Sequence, residues 1–366
     1  MNNRETGMAL IMPNRHILAL TLLAVIFGLY FPRDGLAQTA AGQSAVVLNY
    51  QRFGEDRYPQ TSISANQFGR HVETLSGGRY NAVPADEIIA ALFNGETLPN
   101  RSIAITIDDA YRSAYDIAWP YLKKAGLPFT LFVSTDSIDD GGPGFMTWDQ
   151  IREMRDGGAT IGAHGAGHGH FPEMTPDEIR ADIAHAVQRI EEELGAPPAL
   201  FSYPHGEMTA AARDAVAEAG FKAAFGQHSG TVTQVLDRHM LPRFSINGKY
   251  GTESEFYRRI DALGLPLRDV TPADPYIEDA EPPVIGFTVD NALGRTSNLH
   301  CFHSSADGDD FVEVALTELE GRRYELHFSK AFPPGPWRVN CTIPTGGKRT
   351  RWWGMQYFSA AKNPGG

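Results

Sequence analysis

From residue 45 to about 265, short apolar runs alternate with stretches whose apolar positions recur every three or four residues. The runs predict buried strands, and the periodic stretches predict amphipathic helices. Strand-like runs fall at 45–48, 102–107 (SIAITI), 129–133, 159–163, 200–203 and 221–225. Ser64 is placed to cap a helix with Phe68, Val72 and Leu75 on one face. Residues 84–93 predict a helix with Pro84 at its start and Gly95 past its end. A further helix runs to Ala125, and another spans 209–219. Thr147 with Gln150 and Thr175 with Glu178 are capping-box patterns. The second opens a long helix carrying Ile179, Ile183, Val187, Ile190 and Leu194.

Strands alternating with helices predict a parallel sheet. Polar residues gather just past several strand ends: Asp108 and Asp109 after SIAITI, His164 after ATIGA, His205 after LFSY. In a barrel those ends converge on one face. A doubly wound sheet would collect them at its switch point instead, so a barrel is the better expectation.

Beyond 265 the pattern changes. PLRDVTPADPYIEDAEPP at 266–283 puts five prolines among acidic residues, which predicts a linker or extended strap. Short β-forming runs follow at 284–289, 311–315, 324–328, 337–341 and 352–358, as in a small β-sandwich. The two cysteines of the chain, Cys301 and Cys341, both lie here. In an exported protein they would form a disulfide between two strands, two free buried thiols being the alternative. Trp337, Trp352 and Trp353 are expected mostly in the core of this domain, with sugar stacking the other role open to them.

Arg4, Arg15 and His16 lead into an apolar run at 17–31, and Gly35-Leu36-Ala37 offers a small residue before Gln38. Residues 1–37 therefore read as an export signal, which places the mature chain in the periplasm or outside the cell. An uncleaved anchor is the alternative, and only then would a membrane be involved. The 366-residue chain has a net charge of −12 and no basic cluster, which argues against a nucleic-acid partner. It gives no indication of oligomeric state.

Three strand-end motifs carry candidate chemistry. Asp108 and Asp109 close a buried strand, where adjacent side chains point opposite ways, so one can bind a metal while the other faces a water beside it. His164 and His168 lie in GAHGAGHGH, whose four glycines disfavour a helix and let two imidazoles converge. Two histidines and an aspartate suit zinc or a similar divalent ion with positions left open. The turn FSYPHG brings Tyr203 and His205 to a place where backbone N–H groups could meet an oxyanion and side chains could line a sugar site.

TIDD, then HGAGH, then YPHG, each after a strand, resembles the NodB-type polysaccharide deacetylases over about residues 45–250. The flanking LPNRSIAITIDDAYRSAYDIAWPYLKKAGLPFTLFV is similar to that family throughout. The resemblance implies an α/β fold, a distorted (β/α)7 barrel of NodB type, here with a small C-terminal β-sandwich-like domain. It also implies metal-dependent removal of N-acetyl groups from an N-acetylglucosamine-type polysaccharide or oligosaccharide, such as a chitooligosaccharide or cell-envelope glycan. By position Asp108 is the base that activates water, Asp109, His164 and His168 hold the metal, and the backbone near His205 binds the oxyanion. The expected order is export segment 1–37, catalytic domain 38–265, linker 266–283 and β domain 284–366.

Several positions depart from the family. Gln51 stands where exported members with rearranged motif order have the histidine that protonates the leaving amine. Gly165 replaces a Ser or Thr that braces the His loop, Ser202 replaces an Arg, His205 an aromatic, and Ala110 a Gly. His228 is the first substitute acid to test, ahead of His239 and His205. A carbohydrate-binding protein on a decayed scaffold, or a metal-dependent amidase for non-sugar amides, are the competing functions.

Overall fold

The computed structural model describes residues 43–278, 282–305 and 311–360. The expected export segment 1–37 lies outside the described residues. Among the described residues no helix is long and apolar enough to cross a membrane.

Seven strands form the barrel: β1 (Val46–Tyr50), β2 (Ser102–Ile107), β3 (Thr130–Val133), β4 (Thr160–Ala163), β5 (Leu200–Ser202), β6 (Ala223–Phe225) and β7 (Phe244–Ser245). Their order is β7-β1-β2-β3-β4-β5-β6, with every neighbouring pair parallel. The edge strands are joined by Gly226 N–H to Leu241 O (2.9 Å) and Arg243 N–H to His228 O (3.0 Å). The result is the expected distorted (β/α)7 barrel.

Helices cover it as the periodicity requires. They are α1 (Ala65–Ser76), α2 (Ala85–Asn94), α3 (Trp119–Ala125), α4 (Thr135–Asp139), α5 (Trp148–Asp156), α6 (Pro176–Leu194), α7 (Ala210–Glu218) and α8 (Glu253–Ile260). Ser64 caps α1, and both capping boxes form, at Thr147 and Thr175. Each strand alternates its faces. Leu48, Ile105 and Leu131 pack with Phe68, Leu122 and Ile151 beneath α1, α3 and α5. Phe201 and Ala163 pack with Ile179, Ile183 and Val216 under α6 and α7. Val47, Ala104, Phe132, Leu200 and Phe225 form the other face's cluster, together with Ile88 and Leu92 of α2. Along this second row the apolar side chains give way to Asn49, Thr106 and Ser202 toward the C-terminal strand ends, and all three are buried. The polar end of that row is where the site lies.

The stretch 266–283, expected as a linker or extended strap, supplies two strands. β8 (Leu267–Thr271) pairs antiparallel with β10 (Val284–Val289), and β9 (Tyr276–Ile277) pairs parallel with the end of the last strand. Leu267 is buried in the same cluster as Phe287 and Trp337, so apolar residues between the prolines anchor the segment. Further strands are β11 (His300–Ser305), β12 (Val312–Val314), β13 (Leu316–Leu319), β14 (Arg323–His327), β15 (Gly335–Pro344) and β16 (Thr350–Ser359). They make two sheets, β16-β15-β11-β12 and β8-β10-β14-β13, around one core. Trp337 and Trp353 lie in that core, whereas Trp352 turns to the barrel and packs on Phe244 (5.1 Å). Cys301 and Cys341 sit opposite each other on β11 and β15 and are joined by a disulfide.

The bridge closes a loop with a sequence separation of 40 residues. Reduction is expected to destabilise the protein by up to about 4 kcal/mol through the freed unfolded chain. Urea titrations of oxidised protein and of Cys301→Ala/Cys341→Ala measure it; coincident curves would show that the bridge contributes nothing.

Candidate active site

The chain leaves β2 through a turn in which Asp109 and Ala110 are left-handed (φ 72° and 54°). Such φ values cost non-glycine residues on the order of 1–2 kcal/mol and recur at functional turns. They separate the two carboxylates. Asp108 points into the barrel, where it is fully buried, and Asp109 points to the histidine loop.

Asp109 Oδ1 lies 3.0 Å from His168 Nε2 and 3.3 Å from His164 Nε2. One ligand atom from each of the three residues falls within 4.8 Å of the others. His164 Nδ1 is 2.7 Å from the Ser202 carbonyl, which can only accept, so the proton sits on Nδ1 and the Nε2 lone pair faces the cluster. Both His164 Nε2 and Asp109 Oδ1 are buried without a hydrogen-bond partner. Burial alone would raise the Asp109 pKa, but the two imidazoles hold it well below the usual carboxylate range. Burial likewise opposes charge on His164, yet the carboxylates of Asp108 and Asp109 raise its pKa. Two imidazoles and one carboxylate with orphaned, inward-facing lone pairs fit a divalent cation such as zinc.

Behind the triad sits a residue that sequence reasoning missed. Arg243, fully buried, forks onto Asp108: Nη1 to Oδ1 and Nη2 to Oδ2, both 2.7 Å. Its other donors reach Thr106 Oγ1 (3.0 Å), Ser202 Oγ (2.7 Å) and the Gly226 carbonyl (2.9 Å). All five N–H groups of the guanidinium are therefore used. Ser202, where the resemblance has an arginine, is small enough to leave room for this one. The only local signal was an arginine between apolar residues in LPRFSI.

The His loop is braced by Asp182 of α6, whose carboxylate accepts from Ala166 N–H (2.9 Å) and Gly167 N–H (2.8 Å). Gly165 is left-handed (φ 71°), and a Cβ there would stand 2.7 Å from Asp182 Oδ1. Glycine in place of Ser or Thr thus admits a carboxylate brace from elsewhere. On the other side, His205 stacks on His170 (4.0 Å between centroids, 8° between planes), and His170 pairs with buried Glu207 at 2.8 Å. The His205 ring contacts the His168 carbonyl (3.3 Å); burial, then its histidine neighbours, pull its pKa down to about 4.

Three expected site residues lie elsewhere. Tyr203 is fully buried in the α6–α7 core and donates to the His239 carbonyl (2.8 Å), because strand alternation turns it away from Ser202. His239 contacts the Phe221 carbonyl. His228, expected as the acid, is buried, with Nδ1 unpartnered. Burial, followed by the charges of Arg338 and Arg243, lowers its pKa to about 3, so near neutral pH it is a neutral imidazole, whose remaining N–H is far too weak an acid for the role. Gln51 does line the cavity above the site, a space of about 700 Å³ that also reaches His168, His205 and Gln227.

Residues 95–224 match the family model for polysaccharide deacetylases. That match spans less than half of the chain and makes this stretch similar to a polysaccharide deacetylase domain. Among relatives of this family, Bacillus subtilis YxkH is 23% identical over 185 residues, which are 50% of this chain and 66% of that one. The poly-β-1,6-N-acetyl-D-glucosamine N-deacetylase of Staphylococcus epidermidis is 23% identical over 232 residues, 56% of this chain and 79% of that one. The fold is shared with Streptococcus pyogenes deacetylase PplD (18% identity, TM-score 0.56, 60% of this chain and 99% of that one). It is also shared with IcaB from Ammonifex degensii (24% identity, TM-score 0.53, 59% and 97%). Each of these matches covers 60% of this chain or less.

Arg243→Met is expected to destabilise the protein by about 3–5 kcal/mol, since Asp108 is left buried and unpaired. Adding Asp108→Asn should recover part of that loss; equal urea midpoints for wild type and Arg243→Met would contradict the pairing. Asp182→Ala should weaken zinc affinity about 10–100-fold in competition with a chelator, while circular dichroism stays unchanged.

Proposed function

We propose that the protein removes N-acetyl groups from an N-acetylglucosamine-type polysaccharide or oligosaccharide, with Asp109, His164 and His168 holding a divalent ion, zinc by the chemistry of the donors. The observation that carries this reading is the placement of Asp108. Its Oδ2 lies 4.0 Å from His164 Nε2, so a carboxylate clamped by Arg243 stands beside the orphaned ligand set. When bound, the ion supplies a Lewis acid for the acetyl carbonyl and lowers the pKa of water.

Asp108 takes a proton from the attacking water as its oxygen bonds to the acetyl carbon. Arg243 occupies one lone pair on each carboxylate oxygen, and Oδ2 also accepts from Ser202 Oγ (3.4 Å) and Gln227 Nε2 (3.5 Å), long contacts that have to give way as Asp108 takes the proton. The C–N bond then breaks, acetate leaves, and the amine requires a proton. Gln51 cannot donate one at neutral pH and His228 is neutral, so we assign the return of the proton to Asp108 itself, which acts as base and then as acid. The backbone at His205, on the turn beside His168, is assigned to the oxyanion.

Export fits the sequence of residues 1–37 and the Cys301–Cys341 bridge, since disulfides persist in oxidising compartments. The periplasm or extracellular space is the proposed location. The binding-protein reading draws on Gln51 and predicts glycan affinity without turnover.

Acetate release from N-acetylated oligosaccharides by the zinc-loaded protein tests both. Asp108→Asn is expected to lower kcat by about 10²–10⁴ while zinc is retained. Chelation should abolish release and zinc restore it. Binding without acetate from any of a broad glycan panel would replace the enzyme by the binding protein.

A further inference from the structure

The C-terminal domain contributes a wall to the catalytic cavity, and that wall is cationic. On β15 the side chains alternate: Trp337, Val339, Cys341 and Ile343 enter the sandwich core, while Arg338, Asn340 and Thr342 face the cavity. Phe302 and Ser304 of β11 and Trp352 of β16 continue the same outer face.

Three arginines line this cavity, Arg258, Arg259 and Arg338, and no aspartate or glutamate among the described residues does. In a chain of net charge −12 that is a concentration of the minority sign. Arg258 and Arg259 share a single carboxylate, Glu255. Arg338 has no ion pair among the described residues. Its Nε donates to Gln356 Oε1 (2.9 Å), and Gln356 donates to the His205 carbonyl (3.2 Å). The guanidinium is thus oriented by the pairing of Arg338 with Gln356 across β15 and β16, with its Nη donors unengaged by the described residues. A half-buried, aimed guanidinium without a counter-ion matches a planar carboxylate brought by a ligand.

We infer that the substrate is an acidic glycan, one that carries a carboxylate near the acetamido sugar, and that Arg338 binds this carboxylate. The inference rests on the deacetylase reading for what happens next, but not for the binding itself. A neutral polymer would leave Arg338 with only the buried Glu207 carboxylate, itself paired with His170, as a negative charge nearby, and its amine product would add a cation to a cavity that Arg258, Arg259 and Arg338 already line. An acidic sugar supplies the missing charge, and the half-buried Phe302 offers apolar surface to a ring face.

The test compares two probes on the full, zinc-loaded chain by calorimetry. One is a hyaluronan tetrasaccharide, alternating glucuronate with N-acetylglucosamine; the other is neutral chitotetraose. Wild type is expected to bind the acidic probe about tenfold or more tightly than the neutral one, as a charge-assisted fork would give, and added salt should shrink the ratio. Arg338→Gln should lower that ratio about tenfold, with Arg338→Lys intermediate because it keeps charge without the fork. Equal affinities in wild type would overturn the inference without any variant. An undiminished ratio in Arg338→Gln would overturn it too. Acetate is measured in the same samples: preference without acetate sinks the deacetylase reading alone, and acetate without preference sinks this one alone.

Discussion

The pairing of Arg243 with Asp108 is the constraint around which the barrel is arranged. Two opposite charges are fully buried, which is tolerable only because every donor of the guanidinium finds an acceptor. The Arg243 backbone also joins the two edges of the sheet through the His228 carbonyl. One residue therefore couples closure of the ring to the orientation of the acid beside the ligand set. Phe132 and Phe225 flank the guanidinium at 5.4 and 5.9 Å and seal it from solvent. A carboxylate held this way keeps its position whether or not a substrate is present, which is what preorganisation requires.

Most of the barrel was legible because its signals are local. The SIAITI run, the capping boxes at Thr147 and Thr175 and the glycine after α2 each specify an element within a few residues. The grouping of Asp109, His164 and His168 was legible for the same reason: Asp109 is fixed by the turn after β2, and both histidines by one short loop. What escaped depends on distance along the chain. Arg243 meets Asp108 across 135 positions, and Asp182 braces a loop 15 to 16 residues away from the far side of a helix. Tyr203 and His228 were misplaced because a strand-end motif does not reveal which alternate side chain turns inward. The composition of the proline-rich stretch after 265 pointed to a linker or strap and did not show its strand pairing, which Leu267, Val270 and Ile277 support by packing against the sandwich core.

The departures from the family pattern read differently once the neighbours are visible. Gly165 makes space for Asp182, and Ser202 makes space for Arg243, so both losses are matched by a group supplied from another element. Ala110 is left-handed where glycine would be free to be so, and its methyl is fully buried in the outer cluster. Gln51 has no such replacement among the described histidines, which is why proton return is assigned to Asp108.

Gly354 has a consequence for the border of the cavity. A Cβ at that position would stand 2.2 Å from the Ser229 carbonyl and 2.6 Å from Asn340 Oδ1. Strand and barrel loop therefore meet backbone against backbone, a seam with no slack for a hinge. Any side chain at 354 would have to push β16 off the loop that carries Ser229, and with it the outer face of the strand that borders the cavity.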